Sequence, residues 1–265
     1  MVVTRARDGL GKWFLADTTA LRHEIQLVCF PHSGGCASTY RDWLSELSPF
    51  ADVLPVQLPG RETRIREPFV TDMRALVDQL TEVLLKAQFP KIALFGHSMG
   101  AVIAVKVCEA IEQAGVKAAH LFVSGHEAPP ASPRFLRNRQ GVPFAVPPES
   151  SDATLMSSLS ALDPSLAGWL TSREMRDIFL PVLRADMRLL YSAPIGGERI
   201  DAPVTVLAGL EDPYLRNYDL ADWARVTQAD CVMRWLPGHH FYLSAQGAAL
   251  ARLIRVRLGV SSAGG

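Results

Sequence analysis

Six short apolar runs recur along the chain, and each one ends at or beside a glycine or a proline. They lie at 25–30, 52–58, 91–96, 120–125, 203–209 and 231–236. Runs of this length that lack polar alternation and stop at turn residues are typical of strands buried on both faces. We therefore predict that these segments are the strands of a parallel sheet.

Helical periodicity separates most of these runs. From 71 to 88, apolar side chains recur three, four, seven, ten and eleven residues after Met73, which places them on one helical face behind a capping Thr71 or Asp72. Residues 99–114, 219–227 and 245–258 predict three more helices. Because strands alternate with helices, we expect an α/β protein whose sheet carries helices on both faces.

One stretch breaks this alternation. It is rich in proline from 129 to 148 and helical from 172 to 191, where Pro181 predicts a kink or a break. It contains no evident set of strands. We therefore predict a single domain over 1–265, with a helical lid inserted at about 129–196 over one edge of the sheet.

The composition argues against several classes of protein. The chain has 265 residues, and 48% of them are hydrophobic, which is enough for a sizeable core. Equal numbers of basic and acidic residues, 27 of each, argue against a general nucleic-acid binder. The most apolar long window, 91–111, is interrupted by charged and polar residues, so we expect no membrane span.

The spacing of cysteine and histidine gives little support for a metal site. The four cysteines form neither a CxxC pair nor another metal-ligand spacing, and the seven histidines form no HExxH motif. We expect separate reduced thiols in a cytoplasmic protein, with no metal and no other cofactor.

A candidate nucleophile lies where a predicted strand meets a predicted helix. The segment Gly96-His-Ser-Met-Gly100 matches G-x-S-x-G, and this strand–turn–helix context is what the motif requires. The N-terminus of the following helix favours negative charge at the site. The motif therefore predicts Ser98 as a catalytic nucleophile.

Candidate partners for Ser98 follow the last two predicted strands. A serine hydroxyl needs a base, and the base needs an orienting carboxylate, which in this architecture precedes the histidine along the chain. Asp212 follows one strand, and the pair His239–His240 follows the next. Glu211 is a competing carboxylate, and only one of the two histidines can be the base.

An acyl-transfer site also needs N–H groups that bind the oxyanion of the tetrahedral intermediate. The amide after the nucleophile, that of Met99, is one candidate. The second should come from the loop Phe30-Pro-His-Ser-Gly-Gly35, and we assign it to the backbone N–H of Ser33. A plain glycine turn is the alternative interpretation of this loop.

Five segments together resemble the type II thioesterases, the free-standing editing hydrolases of polyketide and non-ribosomal peptide synthases. The chain is similar also to the animal medium-chain fatty acyl thioesterase, and the resemblance covers about residues 13–258. The Leu-Pro-Gly-Arg-Glu element is more specific than the nucleophile motif. The matching segments are Phe30-Pro-His-Ser-Gly-Gly35, Leu58-Pro-Gly-Arg-Glu-Thr-Arg64 with Glu67-Pro68, Phe95-Gly-His-Ser-Met-Gly100, Glu211-Asp-Pro213 and Gly238-His-His-Phe-Tyr-Leu243.

The resemblance implies an α/β-hydrolase fold with a mostly parallel sheet and a helical lid. It selects His240 as the base, because the family's catalytic histidine precedes a phenylalanine, whereas His239 replaces a glycine of the family pattern. It also implies hydrolysis of an acyl thioester on the phosphopantetheine arm of an acyl or peptidyl carrier protein. Such an activity edits or releases acyl groups in polyketide, non-ribosomal peptide or fatty acid biosynthesis.

Two weaker signals concern substrate and partner. The apolar residues Met175, Phe179 and Met187 could line an acyl chamber or pack the lid onto the sheet. Two arginine clusters could dock an acidic carrier protein or the phosphate of its arm, or could be solvated basic faces. The clusters are Arg61, Arg64 and Arg66, and Arg134, Arg137 and Arg139.

The sequence leaves two other functions open. A carboxylesterase of the same fold that acts on small oxygen esters would use the same triad, and only the Leu-Pro-Gly-Arg-Glu resemblance disfavours it. A non-catalytic accessory protein that binds the carrier could also keep the fold, although an intact triad argues against it.

Overall fold

The described residues form one six-stranded sheet. The computed structural model describes residues 11–128, 146–162, 172–193, 196–215 and 219–260. The strands are β1 (Ile25–Phe30), β2 (Asp52–Pro55), β3 (Lys91–His97), β4 (Ala118–Ser124), β5 (Val204–Gly209) and β6 (Cys231–Leu236). They run in the order β2-β1-β3-β4-β5-β6, and each pairs in parallel with its neighbours, which confirms the predicted parallel sheet.

Helices cover both faces of this sheet. In the described ranges they are α1 (Trp43–Glu46), α2 (Met73–Ala87), α3 (Met99–Gln113), α4 (Asp152–Leu162), α5 (Arg173–Tyr191) and α6 (Gly247–Arg257). Side chains of β1 alternate between two buried clusters: Val28 and Phe30 pack with α2 and α3, whereas Leu27 and Cys29 pack with α1 and α6. All four are fully buried, as strands between two helical layers should be.

The ends of α2 follow local rules. The Asp72 side chain accepts a hydrogen bond from the Ala75 amide at 2.7 Å and caps the helix, which decides between Thr71 and Asp72. The helix ends at Gln88, whose φ of 49° lies in the left-handed region.

The second strand is shorter than its apolar pattern predicts. Its last bond to β1 is the one that the Val56 amide donates to the Cys29 carbonyl at 2.8 Å. Val56 also forms an antiparallel bridge with Phe14, and the Gln57 amide donates to the Trp13 carbonyl. From Gln57 onward the backbone pairs with the segment at 13–14 and no longer with β1.

Two helical predictions also need correction. The helix expected at 219–227 is a 3₁₀ helix at Leu220–Arg225, in which the Val226 amide donates to the carbonyl of Trp223. Helix α5 continues through Pro181, so the break that this proline suggested does not occur. The buried stripe of α5, which includes Leu180, Leu183 and Leu190, holds both halves of the helix against the core.

Helices α4 and α5 lie in the chain between β4 and β5, where the sequence predicts the lid. They pack against the same apolar core as α3, since Leu155, Leu159 and Leu183 belong to that cluster. None of the helices in the described ranges has both the length and the apolarity that crossing a bilayer requires.

Candidate active site

Ser98 lies on a strained turn between β3 and α3. Its φ is 55° and its ψ is −118°, a conformation that residues other than glycine rarely adopt. The Ser98 amide donates to the Ser124 carbonyl at the end of β4 at 2.7 Å, which ties the turn to the neighbouring strand. This is the sharp strand-to-helix geometry that the G-x-S-x-G motif predicts.

The two glycines of the motif are required by close packing of backbones. A Cβ on Gly96 would lie 2.0 Å from the Gly100 carbonyl oxygen, and a Cβ on Gly100 would lie 2.0 Å from the Phe30 carbonyl oxygen. Only glycine allows the start of α3 to lie this close to the ends of β3 and β1.

Asp212 and His240 form a buried pair at the same edge of the sheet. Nδ1 of His240 lies 2.8 Å from Oδ2 of Asp212, and both side chains are fully buried. The other carboxylate oxygen accepts the Tyr214 amide at 2.9 Å, so the carboxylate is held from two sides. The His240 ring lies 5.1 Å from that of His97, the residue before Ser98.

The rival carboxylate and the rival histidine lie elsewhere. Glu211 is exposed and accepts a hydrogen bond from the Gly238 amide. His239 is also exposed, and its Nδ1 lies 3.3 Å from the Glu211 carbonyl oxygen. The structure thus brings together Asp212 and His240, a pair that the chain order allows and that the resemblance favours.

The two candidate oxyanion donors lie beside Ser98. Met99 is the first residue of α3, so its N–H has no carbonyl partner within the helix. Ser33 lines the same small cavity as Ser98. In the loop that follows Ser33, the Gly34 amide is already bound by Asp186 and the Gly35 amide by the His32 carbonyl. Neither bond involves the Ser33 amide, which stays the predicted donor from this loop.

Neutral histidines surround His240. Burial, with smaller contributions from His240 and Arg61, lowers the pKa of His32 to about 3. Burial likewise holds the pKa of His97 well below its ordinary value. Nδ1 of His97 lies 2.9 Å from the Ser124 hydroxyl, which in turn lies 2.6 Å from that of Tyr242. Because these neighbours carry no charge near neutral pH, they do not oppose a positive charge that develops on His240.

Two adjoining cavities open beside the candidate triad. The cavity that contains Ser98 is small, about 30 Å³, and Met187 lines it. The neighbouring cavity is about 1110 Å³, and Met175 and Phe179 line it. Met187 also belongs to the buried core and Phe179 packs against it, so both interpretations of these α5 residues describe part of the structure.

A buried ion pair joins α5 to the segment after β2 that carries Arg61, and the sequence pattern did not predict it. Its Asp186 also binds the loop at 31–36, called the glycine loop below. Arg61 binds both carboxylate oxygens of Asp186, at 2.6 and 2.9 Å, and the two side chains are 5% and 1% exposed. Burial alone would lower the pKa of Arg61, but the Asp186 carboxylate raises it above its ordinary value. The available signal was a single acidic residue, Asp186, in the otherwise apolar stripe between Leu183 and Leu190.

This pairing corrects the interpretation of the first arginine cluster. Arg64 is also buried: it binds Glu67 at 2.6 and 2.8 Å and lies over the Trp13 ring. Arg61 and Arg64 are therefore not a solvated basic face, whereas Arg66 is exposed. Arg61 lines the larger cavity, and its binding of a carrier arm stays a prediction. The second cluster, Arg134, Arg137 and Arg139, lies outside the described residues.

The described parts of the chain contain no candidate metal site. There, no three His, Cys, Asp or Glu side chains group in a way that could hold a metal ion. Cys29, Cys36, Cys108 and Cys231 are free thiols.

Comparison with known proteins gives consistent matches. The model of the Thioesterase domain family matches residues 25–258. The probable cadicidin biosynthesis thioesterase of Streptomyces griseus is 32% identical over 91% of this chain, which spans 64% of that relative's length. Thioesterase PikA5 of Streptomyces venezuelae is 31% identical, over 89% of this chain and 82% of its own.

A solved structure extends the similarity to the fold. RedJ, the thioesterase from the prodiginine biosynthetic pathway in Streptomyces coelicolor, has a TM-score of 0.78 and 31% identity, over 91% of this chain and 87% of that one. The family model covers the sheet, α3 and the segments that carry Ser98, Asp212 and His240. The chain therefore belongs to the thioesterase family and has the α/β-hydrolase fold, as its resemblance to type II thioesterases implied.

Proposed function

We propose that the protein hydrolyses acyl thioesters on the phosphopantetheine arm of an acyl or peptidyl carrier protein. It would edit or release acyl groups in polyketide, non-ribosomal peptide or fatty acid biosynthesis. The observation that carries the proposal is the buried Asp212–His240 pair at the sheet edge where Ser98 occupies its strained turn, in a chain of the thioesterase family. Relatives named for cadicidin and prodiginine biosynthesis support the biosynthetic setting.

In the acylation step, His240 takes the proton from Oγ of Ser98 as that oxygen attacks the thioester carbonyl carbon. Asp212 holds the ring through Nδ1 and stabilises the imidazolium. The carbonyl oxygen becomes an oxyanion and accepts hydrogen bonds from the Ser33 and Met99 amides. The C–S bond then breaks, and His240 returns the proton to the departing thiolate.

In the deacylation step, His240 takes a proton from a water molecule, whose oxygen attacks the acyl carbon. The same two amides receive the second oxyanion. The bond between the acyl carbon and the Ser98 oxygen breaks, and His240 protonates that oxygen. The products are a carboxylic acid and the free enzyme, with no cofactor consumed.

The same proposal covers partner, domain and location. The carrier protein is the partner, and the two cavities beside Ser98 receive its arm and the acyl group, with Met175, Phe179 and Met187 among the lining residues. Helices α4 and α5 belong to a lid on a single domain. Four free thiols are typical of a reducing compartment, which supports the cytoplasm as its location.

The proposal is tested with one acyl group presented in two forms. The wild-type protein and Ser98→Ala are assayed on an acyl-loaded carrier protein and on a small oxygen ester of the same acyl group. We expect the wild type to favour the carrier thioester in kcat/KM. We expect Ser98→Ala to lose about 10⁶ in kcat, because the members of a triad act as a unit.

Each other outcome rejects a defined part of the proposal. Near-normal thioester hydrolysis by Ser98→Ala would remove Ser98 from the mechanism. A wild-type preference for the oxygen ester would indicate a carboxylesterase. Binding of the carrier without turnover, and without labelling of Ser98 by a fluorophosphonate, would indicate a non-catalytic accessory protein.

A further inference from the structure

We propose that Arg61 and Asp186 are positioning residues that hold the Ser33 amide at the oxyanion site. Helix α5 would then orient an oxyanion donor, in addition to lining the cavities beside Ser98. This inference rests on the function proposed above, because it requires an oxyanion to be bound. It assigns a role to the arginine of the Leu-Pro-Gly-Arg-Glu element and to an α5 residue 125 positions away in the chain.

The contacts of Asp186 reach both Arg61 and the glycine loop. Oδ2 of Asp186 accepts the Gly34 amide at 2.7 Å and Nη1 of Arg61 at 2.9 Å, while Oδ1 accepts Nη2 of Arg61 at 2.6 Å. Nη1 of Arg61 also donates to the Gly35 carbonyl oxygen at 2.9 Å. The peptide groups that follow Ser33 are therefore held on a donor side and an acceptor side by the same ion pair.

The beginning of the loop is fixed by other means. The Phe30 carbonyl oxygen accepts the Tyr40 hydroxyl at 2.7 Å, and it lies so close to Gly100 that a Cβ there would be 2.0 Å away. Ser33 thus lies between a start that the core holds and an end that Arg61 and Asp186 hold. Because the loop at 31–36 is short, the direction of the Ser33 N–H depends on how both of its ends are held.

Without the ion pair, the bond from the Gly35 amide to the His32 carbonyl would still close the turn, but the Gly34 amide and the Gly35 carbonyl would lose the partners described above. Gly34 has a φ of 76°, and two adjacent glycines give the backbone many accessible conformations. An oxyanion donor loses much of its effect when it is displaced, since about 1 Å of misplacement can cost about 10²-fold in rate. A bidentate guanidinium–carboxylate pair has a defined geometry and therefore suits a positioning role.

The energetic argument favours positioning over simple stabilisation. A buried ion pair gains little over a well-packed apolar pair, because desolvation of both charges opposes their attraction. Residues that served only to pack α5 onto the body could therefore be apolar, like their neighbours Leu183 and Leu190. An apolar pair could not accept the Gly34 amide or donate to the Gly35 carbonyl.

The test uses Asp186→Asn and Arg61→Lys, which keep the size or the charge of the original side chain. The asparagine amide has one acceptor oxygen, whereas the two carboxylate oxygens accept from three N–H donors. A lysine lacks the planar fork with which Arg61 reaches three oxygens. We expect each variant to lower kcat by about tenfold to a hundredfold. This is less than the roughly 10²–10³-fold that complete loss of an oxyanion donor costs. KM should stay nearly unchanged in Asp186→Asn, because Asp186 lines neither cavity, whereas Arg61 lines the larger one.

A second measurement reports the oxyanion site directly. An acyl trifluoromethyl ketone adds to a serine nucleophile and places a tetrahedral oxyanion in the donor site. We expect its affinity to fall by the same factor as kcat in both variants. The affinity for the unreactive acyl amide of the carrier arm should stay constant in Asp186→Asn, whose altered side chain lines neither cavity. A role limited to packing would change neither affinity in the folded protein.

The chain offers a matched control in Glu198→Gln. Glu198 is buried, binds Lys106 at 2.6 Å and also accepts a glycine amide, that of Gly196, at 2.9 Å. It thus repeats the chemistry of Asp186 away from the 31–36 loop. We expect Glu198→Gln to lower the free energy of unfolding about as much as Asp186→Asn, with kcat per folded molecule unchanged.

The outcomes separate this inference from the proposed function. If Asp186→Asn and Arg61→Lys lose stability but keep wild-type kcat and ketone affinity, as Glu198→Gln should, the positioning role is rejected while the function stands. If Ser98→Ala stays active, the proposed function fails first. If kcat falls in the Arg61 and Asp186 variants but ketone affinity does not, these residues act on another step and the inference is wrong.

Discussion

At the scale of single residues, the position of the candidate nucleophile depends on two glycines as much as on the serine itself. Ser98 adopts a positive φ because its turn must redirect the chain from β3 into α3 within one residue. Gly96 and Gly100 make this possible, since a Cβ on either would lie 2.0 Å from a backbone oxygen. The strain is thus maintained by packing around the turn rather than by the serine.

We predict that Gly100→Ala damages both stability and activity. The new Cβ must displace either the Phe30 carbonyl or the start of α3, because neither is a flexible side chain. We expect the free energy of unfolding to fall by about 1–3 kcal/mol or more. We also expect kcat to fall by about 10²-fold or more, because the Ser98 hydroxyl and the Met99 amide move with the turn. Urea unfolding and steady-state kinetics measure the two effects.

Gly115→Ala is the control for a glycine without close neighbours. Gly115 has a φ of 86°, and nothing lies within 4 Å of the position that a Cβ would occupy, so alanine there costs only backbone strain, about 1–2 kcal/mol. Its kcat should equal that of the wild type. Equal behaviour of the two alanine variants in both assays would contradict the packing argument.

At the scale of elements, α5 has several roles that depend on which face of the helix is considered. Met175 and Phe179 line the larger cavity, Met187 lines the small cavity beside Ser98, and Asp186 binds the glycine loop. The remaining apolar stripe packs into the core. An amphipathic pattern predicts the helix and its buried face, but residues one position apart serve different parts of the site.

We predict that Met187→Ala changes acyl-chain selectivity. Met187 narrows the cavity at Ser98, and the described residues leave only about 30 Å³ there. Removing its side chain should raise kcat/KM for longer acyl groups relative to acetyl by about tenfold, since each methylene in an apolar pocket is worth about 10-fold or more. A series of straight-chain acyl groups on one carrier protein measures the ratio.

Leu190→Ala provides the comparison on the same helix. Leu190 is 5% exposed and lies in the core cluster, and it is absent from the linings of both cavities. Its loss should lower the free energy of unfolding by about 2–5 kcal/mol without altering the chain-length ratio. An unchanged ratio in Met187→Ala would show that this methionine packs the helix and does not shape the acyl site.

At the scale of the whole molecule, the fold buries several histidines in neutral form. Burial lowers the pKa of His32 to about 3 and the pKa values of His120 and His126 to about 4, from an ordinary value of 6.5. They lie in different parts of the molecule; His120, for example, binds the Thr205 hydroxyl at 2.8 Å between β4 and β5. In each case the buried imidazole stays neutral at pH values at which the same histidine in the unfolded chain binds a proton.

We predict that stability falls as the pH drops below about 6.5. Between that value and about 4, the unfolded chain binds protons at these histidines and the folded protein does not, so acid favours unfolding. Each histidine contributes up to about 1.4 kcal/mol per pH unit in this window. Urea unfolding at pH 7, 6 and 5 measures the effect. The free energy of unfolding should fall by at least about 1.4 kcal/mol between pH 6 and pH 5.

His120→Gln isolates one contribution away from the candidate site. Glutamine keeps a polar partner for Thr205 but cannot bind a proton, so the slope below pH 6.5 should decrease by up to about 1.4 kcal/mol per pH unit. The variant is expected to be less stable than the wild type at pH 7 and less sensitive to acid. The same slope in both proteins would reject the linkage.

Much of the fold was predictable because its determinants are local. Apolar runs ended by turn residues located all six strands, and the period of α2 with its Asp72 cap located that helix. Errors arose where distant contacts overrode local pattern. Residues 13–14 pair with the backbone that follows Pro55, which shortens β2. Packing of its apolar face against the core keeps α5 continuous through Pro181. Such contacts leave no periodic signal near the affected residues.

The candidate site divides in the same way. The chain by itself determined the strand–turn–helix context of Ser98 and the order of Ser98, Asp212 and His240, because motif spacing and strand ends are properties of short segments. The resemblance favoured His240, but only the tertiary structure showed that its ring contacts Asp212 while Glu211 and His239 stay exposed. The contact between Arg61 and Asp186, 125 residues apart, also appears only in the tertiary structure. Two charges need each other as partners only once folding has buried both of them, so neither local sequence indicates the pair.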